Sequence, residues 1–397
     1  MEISTSARLK GVGEYYFSQK LQQIEKLNSQ GASVINLGIG SPDLPPHPDV
    51  IKALREESEK LTVHGYQSYR GVKPLREAIA SWYKNWYQVS LNADTEILPL
   101  MGSKEGIMHI CMTYLDKGDA VLVPDPGYPT YKSAVLLAQG KTISYKLVEK
   151  NNYEPDFAAL EKKDLSKVKL MFVNYPQMPT GQLPTIDLFK KIISFAKRHN
   201  ILIVHDNPYS FILNENPQSI LSVEGAKDCA LELNSLSKSH NMAGWRVGML
   251  VGDANRINEV LRFRSNIDSG MFLPLQLAAT KALSLDKDWH DSVNKIYADR
   301  RLLVYKLLRV LKCRFSTSQA GLFVWAKVGV TPKEASLHPM GKGGWLSDRI
   351  LDDSKVFITP GAVFGDAGKN YIRISLCSSE ETIMKALDRV VSNNVTN

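Results

Sequence analysis

The sequence has few cysteines and no long uncharged apolar run, and both absences narrow its class. Its 397 residues include four cysteines, none of which belongs to a Cys-x-x-Cys pair: Cys111, Cys229, Cys313 and Cys377. This spacing favours buried, reduced thiols over a disulfide framework or a zinc site. No uncharged apolar run approaches the roughly 20 residues of a membrane-spanning helix. The N-terminus, MEISTSARLK, has no apolar core, so we expect a cytoplasmic protein without a membrane partner.

The chain also lacks a segment that is dominated by one sign of charge. Lysine and arginine number 49 against 41 aspartates and glutamates, a net charge of +8, but the basic residues are spread along the chain. A nucleic-acid partner is therefore not expected. There is no internal repeat, and the hydrophobic content of 44% is enough for more than one core.

Short apolar runs alternate with longer helical patterns between about residues 98 and 252. The runs are AVLVPDP, KLMFVNYP, ILIVHDNPY, ALELNSLSK and GMLVGD. This alternation predicts an α/β fold whose sheet is buried on both faces and at least partly parallel. Ligands of such sheets bind beyond the carboxyl ends of the strands, which is where Tyr128, Asn174, Asp206 and Lys238 fall.

The C-terminal part of the chain predicts a second, smaller α+β domain. The segment from Asp286 to about Lys312 has apolar residues at helical spacing and predicts one long helix. The strand-like segments GLFVWAKV, KVFITPG and YIRISLC follow, with a closing helix after Ser378. The glycine-rich segment HPMGKGG at 338–344 does not have the residue order of a P-loop, and we expect a mobile surface loop there.

The stretch SLSKSHNMAGWRVG, residues 235–248, places Lys238 directly after an apolar strand pattern. Burial disfavours the charged form of a lysine and lowers its pKa. A neutral amine is a nucleophile that forms a Schiff base with an aldehyde, notably pyridoxal phosphate. That cofactor would require groups for its phosphate, a carboxylate for its pyridine nitrogen and a flat side chain against its ring.

Five residues are candidates for binding the phosphate: Ser103, Lys104, Ser235, Ser237 and Arg246. The two serines at 235 and 237 flank the approach to the lysine, and a guanidinium pairs bidentately with phosphate oxygens. Ser103 and Lys104 begin a helical pattern, so their free N–H groups and the helix dipole favour an anion. A Gly-Ser pair before a helix is also an ordinary N-cap, so this segment alone decides nothing.

Asp206 is the candidate for the pyridine nitrogen because it ends the strand pattern ILIVHD. A carboxylate there would keep the nitrogen protonated, so that the ring acts as an electron sink. The rival candidate is His205, but no HExxH or similar cluster indicates a metal site. Tyr209 could donate its hydroxyl to the phenolic oxygen, and Tyr128 could stack on the ring. In a chain with 16 tyrosines, both could equally belong to the core.

From INLGIGSPD at 35–43 to YIRISLC at 371–377, the chain resembles the class I/II aminotransferases of PLP fold-type I. Residues 235–248 resemble that family's S-x-S-K-x-x-x-x-x-G-x-R-x-G signature. The resemblance implies a large domain (46–299) with a mostly parallel seven-stranded sheet between helices. It also implies a smaller α+β domain (15–45 and 300–397) and an N-terminal arm (1–14).

The resemblance assigns roles to the same residues. Lys238 would be the Schiff-base lysine and proton shuttle, and Asp206 and Tyr128 would act with it in catalysis. The expected cofactor-binding set is Tyr66, Ser103, Lys104, Tyr128, Asn174, Asp206, Tyr209, Ser235, Ser237, Lys238 and Arg246.

Three expectations come mainly from the resemblance. Tyr66, in YQSYRG, matches a tyrosine that reaches the phosphate of the neighbouring subunit, which implies a homodimer. Arg373 matches the arginine that binds the α-carboxylate of the substrate, and a bidentate fork suits that task chemically. Gly40 matches a glycine whose backbone lies against the substrate.

One position departs from the family pattern. The family usually has N-P-T-G, with an asparagine that contacts the phenolic oxygen of the cofactor and the carboxylate of the substrate. This chain reads NYPQMPTG, with Met178 at that place, and a thioether cannot donate a hydrogen bond. Asn174 or Gln177 could compensate, or the bond could be missing.

These residues predict a pyridoxal-phosphate-dependent transaminase with ping-pong kinetics. The segment SNIDSGMFLPLQLAA, residues 265–279, resembles LL-diaminopimelate aminotransferases and their alanine- or aspartate-active relatives, which suggests glutamate and 2-oxoglutarate as one couple. The alternative is a cysteine-S-conjugate β-lyase, which would expel a β-substituent after loss of the α-proton. A PLP-sensing regulator is the least favoured reading, because only about 30 residues precede VINLGIGSPD, too few for a winged helix.

Overall fold

The computed structural model describes residues 3–393. The ends of the predicted arm (1–2) and of the predicted small domain (394–397) lie outside the described residues. The α-helices are α1 (Tyr16–Ser29), α2 (Pro48–Ser58), α3 (Lys73–Tyr87), α4 (Ser103–Tyr114), α5 (Pro129–Leu137), α6 (Phe157–Leu160), α7 (Ile186–His199), α8 (Leu236–Ser239), α9 (Ala254–Arg264), α10 (Leu273–Leu283), α11 (Lys287–Val310), α12 (Gly341–Ser354) and α13 (Glu380–Ser392). The strands are β1 (Ile35–Asn36), β2 (Ile97–Leu100), β3 (Ala120–Asp125), β4 (Lys141–Lys146), β5 (Val168–Asn174), β6 (Leu202–Asp206), β7 (Ala230–Ser235), β8 (Gly248–Gly252), β9 (Phe323–Lys327), β10 (Val356–Phe357), β11 (Thr359–Pro360) and β12 (Tyr371–Ser375).

Seven strands form the central sheet, in the order β2-β8-β7-β6-β5-β3-β4. The five strands from β3 to β7 are parallel to their neighbours within that set. Strand β8 is antiparallel to both β2 and β7. The prediction of a mostly parallel seven-stranded sheet is therefore confirmed, and the five apolar runs correspond to β3, β5, β6, β7 and β8.

Helices cover both faces of this sheet. Along β6, Ile203 packs with α3, α7 and α10, whereas the next residue, Val204, packs with α4, α5 and α9. Successive side chains of a strand point to opposite faces, so a strand that is covered on both sides reads as a continuous apolar run. This is why the inner strands could be found from the sequence.

A second sheet, in the order β11-β12-β9, is antiparallel, and β1 pairs separately with β10. The hydrophobic core next to this second sheet includes side chains of α11 and α13, the predicted long and closing helices. The carboxylate of Asp286 caps α11 by accepting hydrogen bonds from the N–H groups of Asp288 and Trp289. The predicted boundary between residues 299 and 300 falls inside α11, which continues across it without a break. The domain division therefore stays a prediction.

The expectation of a mobile loop at 338–344 is wrong for its second half. Helix α12 begins at Gly341, and Gly343 and Gly344 are buried. A Cβ atom at Gly343 would lie 1.9 Å from the carbonyl oxygen of Tyr371, so only glycine fits this contact. Gly343 thus permits close packing against the strand that carries Arg373, whereas a Cβ atom at Gly344 would meet the side chains of His338 and Met340.

All four cysteines are buried and free, which confirms the prediction of buried thiols. None of the helices formed by residues 3–393 combines the length and apolar character that crossing a bilayer requires. Within the same residues, no group of three or more His, Cys, Asp or Glu is placed to hold a metal ion.

Candidate functional site

One cavity of about 520 Å³ opens at the carboxyl ends of β3, β5, β6 and β7. The predicted site residues that line it are Gly40, Ser103, Lys104, Tyr128, Asn174, Asp206, Tyr209, Ser235, Ser237, Lys238, Arg246 and Arg373. Tyr66 is not part of the lining, and its side chain is 92% exposed. Its expected reach into a neighbouring subunit stays a prediction.

Lys238 lies in α8, the single turn that follows β7, and its amine points into the cavity. Its Nζ donates a hydrogen bond of 2.7 Å to the carbonyl oxygen of Gly40. Burial lowers the pKa of Lys238 to about 8. The amine is therefore partly neutral near physiological pH. The position of Gly40 excludes a side chain, because a Cβ atom there would lie 2.1 Å from the ring of Phe323.

Asp206 ends β6 and is 4% exposed. Its Oδ2 accepts a hydrogen bond of 2.7 Å from the hydroxyl of Tyr131, whereas its buried Oδ1 has no hydrogen-bond partner in the described part of the chain. Burial raises the pKa of Asp206 to about 6, and the bond from Tyr131 opposes this effect. The free oxygen is suited to accept a hydrogen bond from a protonated nitrogen in the cavity.

Tyr131 was missed in the sequence. It follows Tyr128 by three residues in DPGYPTY, so the two rings lie on one side of α5, with centroids 5.6 Å apart. Tyr131 also stacks on Phe172 of β5 at 4.8 Å. The i, i+3 spacing from Tyr128 could have indicated that Tyr131 lies near the site. Its role, however, depends on the hydrogen bond to Asp206, which is 75 residues further along the chain.

The N-terminus of α4 lies next to the guanidinium of Arg246. Gly102 precedes Ser103 with a φ of +89°, and a Cβ atom at Gly102 would lie 2.1 Å from Nη2 of Arg246. The helix N-terminus and the guanidinium therefore meet at this point. The hydroxyls of Ser235 and Ser237, which are 2.9 Å apart, line the same cavity. This set of donors suits a phosphate group.

Arg373 lies within β12 and is almost completely buried. Its Nη2 donates to the carbonyl oxygen of Gly38 at 2.8 Å, and its Nη1 donates to Sδ of Met178 at 3.4 Å. The central carbon of the guanidinium is 3.7 Å from the centroid of the Phe323 ring and 4.6 Å from that of Phe364. Burial lowers the pKa of Arg373 to about 10, so the group remains charged at neutral pH.

Neither neighbouring amide replaces the asparagine that the family usually has at position 178. Asn174 donates to the backbone oxygen of Asp206 and accepts from the N–H of Met178, both at 2.7 Å. Gln177 donates to the backbone oxygen of Pro126 at 2.9 Å. Met178 itself contributes an apolar thioether to the cavity wall.

The N-terminal segment adds residues that the sequence gave no reason to select. Tyr15, Phe17 and Leu21, in and just before α1, line the cavity. The Nζ of Lys104 is 4.6 Å from the centroid of the Tyr15 ring. Burial and the neighbouring Arg246 lower the pKa of Lys104. This segment has no signature motif, so its position over the cavity depends on contacts between distant parts of the chain.

These features fit pyridoxal phosphate. An amine of lowered pKa is available for the aldehyde, and the partnerless buried oxygen of Asp206 is available for the pyridine nitrogen. The corner at Ser103 and Arg246 provides N–H groups and positive charge for the phosphate. Tyr128 lines the same cavity with an aromatic ring that suits the cofactor ring.

Comparison with known proteins agrees with this chemistry. Residues 32–390 match the family model described as aminotransferase class I and II. The chain is 40% identical to an LL-diaminopimelate aminotransferase of Halothermothrix orenii, with 99% of each chain covered. It is 38% identical to transaminase BacF of Bacillus subtilis, with 100% of this chain and 98% of BacF covered. The solved structure of apo-BacF has a TM-score of 0.92 at 37% identity and covers 99% of both chains.

The match extends over nearly the whole chain, both in sequence and in fold. The residues that line the cavity are of the types that the family's cofactor requires. The chain therefore belongs to the class I and II aminotransferases, a family that depends on pyridoxal phosphate, and is a transaminase.

Proposed function

We propose that this transaminase moves an amino group between an L-amino acid and a 2-oxo acid in the cavity described above, with glutamate and 2-oxoglutarate as one couple. The observation that carries the proposal is the convergence of Lys238, Asp206 and Arg373 on one cavity. The three residues would supply a base, an anchor for the cofactor and a carboxylate-binding group.

When bound, pyridoxal phosphate supplies an electron-withdrawing ring that stabilises the charge left by loss of the α-proton. Lys238 would move that proton, and a pKa of about 8 leaves enough neutral amine to accept it. The hydrogen bond from Nζ to the carbonyl oxygen of Gly40 orients the amine and thereby fixes the direction from which it acts.

Asp206 would hold the cofactor through its free Oδ1, and Tyr128 would pack against the ring. Tyr209 lines the same cavity, and burial raises the pKa of its hydroxyl, so that it stays protonated and able to donate. The backbone N–H groups of Ser103 and Lys104, the hydroxyls of Ser235 and Ser237 and the guanidinium of Arg246 would bind the phosphate.

Arg373 would bind the α-carboxylate of the substrate. Its guanidinium is held between Gly38, Met178 and Phe323, so little rotamer freedom remains to be lost on binding. The carboxylate would replace the weak thioether acceptor of Met178 as the partner of Nη1. Because position 178 is a methionine, no amide there would donate a further hydrogen bond to this carboxylate.

Lys104 supports an acidic substrate. Its ammonium group lines the cavity and lies over the Tyr15 ring, and it forms no ion pair with any of residues 3–393. Glutamate has a second carboxylate that would meet this charge. The name of the relative from Halothermothrix orenii supports LL-diaminopimelate as a second candidate substrate, and that molecule also has a distal carboxylate.

The absorbance spectrum of the purified protein, with and without L-glutamate, tests the proposal. We expect a band of lysine-bound cofactor that glutamate converts to the pyridoxamine form and that Lys238→Ala lacks. A protein that binds cofactor but does not respond to glutamate would contradict the proposed couple. The names of the relatives compared above give no support to the β-lyase or the regulator. Release of pyruvate from cystathionine without an added 2-oxo acid would nevertheless identify a lyase.

We also propose a cytoplasmic homodimer in which Tyr66 reaches the phosphate of the other subunit. Its nearly complete exposure supports this placement, and Leu61 in the same segment is 94% exposed. Sedimentation equilibrium tests the dimer. We expect Tyr66→Phe to remain dimeric and to bind pyridoxal phosphate several-fold more weakly, because it loses one hydrogen bond to a charged group. Unchanged affinity would contradict the crossing.

A further inference from the structure

We propose that His205 and Glu232 form a buried ion pair next to Asp206, and that the positive charge of His205 keeps the Asp206 carboxylate ionised. In this role His205 is a positioning residue, since it touches neither substrate nor cofactor. The inference rests on the proposed task of Asp206 in the cavity.

The side chains of the two residues lie on the face of the sheet opposite to that of Asp206. His205 precedes Asp206 on β6, and neighbouring side chains of a strand point to opposite faces. His205 is directly opposite Glu232 of β7 in the strand register. Both side chains are completely buried, and Nδ1 of His205 is 2.9 Å from Oε2 of Glu232.

The hydrogen bonds of Glu232 determine its protonation state. Its Oε1 accepts from the hydroxyl of Tyr83 at 2.9 Å and from Nδ2 of Asn207 at 3.3 Å. Its Oε2 accepts from the hydroxyl of Ser219 at 2.7 Å and from the N–H of Ile220 at 3.1 Å. The amide of Asn207 and the N–H of Ile220 can only donate, one to each oxygen of Glu232, and a proton on either oxygen would weaken it as an acceptor. We therefore assign Glu232 as a carboxylate.

The partners of His205 then determine its own state. Its Nε2 is 3.0 Å from the carbonyl oxygen of Tyr175, which can only accept, so Nε2 carries a hydrogen. Its Nδ1 faces the carboxylate of Glu232, which also accepts, so Nδ1 carries a hydrogen as well. His205 is therefore a doubly protonated imidazolium. The ring of Phe189 packs against it at 5.1 Å, and no further charged group contacts it within residues 3–393.

This charge acts on Asp206 from behind the sheet. The hydroxyls of Tyr131, Tyr128 and Tyr209 face Asp206 from α5 and from the loop after β6, and burial raises the pKa of each, so these groups are neutral. Burial raises the pKa of Asp206, the bond from Tyr131 and the charge of His205 lower it, and Glu232 raises it. His205 thus cancels an acidic charge that would otherwise favour protonation of Asp206.

The state of Asp206 matters for the cofactor. A carboxylate accepts a hydrogen bond from a protonated ring nitrogen, whereas a carboxylic acid presents its own proton or a weaker acceptor. Removal of His205 alone would leave Glu232 uncompensated, because its four other donors remain. Removal of both charges would leave Asp206 close to its present state. The pair therefore predicts non-additive effects.

The first experiment measures His205 directly. In the holoenzyme with ¹⁵N-labelled histidine, we expect both ring nitrogens of His205 to show the chemical shift of protonated nitrogen at neutral pH. Loss of the signal in His205→Gln assigns it. A neutral tautomer at this pH would overturn the proposal.

The second experiment compares pyridoxal phosphate affinity as a function of pH in His205→Gln, Glu232→Gln and the double variant. We expect His205→Gln to weaken binding about tenfold near pH 7 and to move the acid limb of binding upward by about one pH unit. The double variant should recover most of this loss. Unchanged affinity in His205→Gln, or a double variant as weak as the single one, would overturn the proposal.

Two controls keep the outcome interpretable. If His205→Gln does not fold, the ¹⁵N spectrum of Glu232→Gln answers the question, because removal of the carboxylate should leave one ring nitrogen of His205 unprotonated, and an unchanged spectrum would overturn the proposal. Asp206→Asn separates this inference from the proposed function. If that variant binds the cofactor as tightly as the wild type, the proposed role of Asp206 fails, whatever the charge of His205.

Discussion

Replacement of Asp206 by asparagine is expected to stabilise the cofactor-free protein while it removes the group proposed to hold the cofactor. Burial raises the pKa of Asp206 to about 6, from an ordinary value of 3.8. Because one pKa unit corresponds to about 1.4 kcal/mol, the ionised group costs the folded state about 3 kcal/mol at pH 8. Asparagine carries no charge, and its oxygen can still accept the hydrogen bond from Tyr131.

The pH dependence distinguishes this effect from a general change in packing. The pKa of Asp206 is higher in the folded protein than in the unfolded chain, so folding favours the protonated form. The cost is complete above pH 6, declines as the pH falls through that value, and is absent below 3.8. The gain from Asp206→Asn should therefore be largest at pH 8 and should shrink between pH 6 and 4.

Urea unfolding of the cofactor-free proteins at equal concentration measures this gain. Asp299→Asn, at an exposed position of α11, is the matched control, and we expect it to change stability by less than about 0.5 kcal/mol. A variant at 206 that is no more stable than the wild type at pH 8 would refute the reasoning. A gain that is the same at pH 8 and pH 4 would also refute it.

Three further predictions follow from the side chains around the cavity and the core. Met178→Asn adds an amide donor beside Arg373 and should lower KM for the amino acid by up to about tenfold. Met178→Leu is the control and should leave KM unchanged. Equal KM values in the wild type and both variants would contradict this prediction. Lys104→Met should raise KM for glutamate about tenfold and leave KM for alanine nearly unchanged, and a similar rise for both substrates would indicate a structural effect instead. Burial lowers the pKa of His290 to about 4, so the unfolded chain binds the proton first and stability should fall by about 3 kcal/mol as the pH drops from 6.5 to 4. His290→Phe, which keeps the stacking on Phe211, should lose that part of the pH dependence in urea titrations, and an unchanged pH profile would show that His290 is not responsible.

The inner strands and the lysine segment could be predicted because their signals are local. A strand that is covered on both faces is mostly apolar, and the residues around Lys238 occupy one contiguous stretch. The mostly exposed edge strand β4, KTISYK, gave no such signal. Polar runs at a sheet edge resemble loops in sequence.

The rest of the site depends on contacts between distant segments. Tyr131 gains its meaning only from Asp206, and Tyr15 and Phe17 lie over the cavity without any motif. The glycines at 343 and 344 predict a loop because a single sequence does not show what packs against a missing side chain. The contacts of Tyr66 with a second subunit remain a prediction.

The contacts of Arg373 join the first and last parts of the chain, so they form only late in synthesis. Nη2 of Arg373 binds the carbonyl of Gly38, 335 residues earlier, and Nζ of Lys238 binds the carbonyl of Gly40 across 198 residues. All strands of the central sheet precede β12, so a nascent chain contains the whole sheet before Arg373 has been synthesised. A product that ends before β12 would therefore lack the group that is proposed to bind the substrate carboxylate.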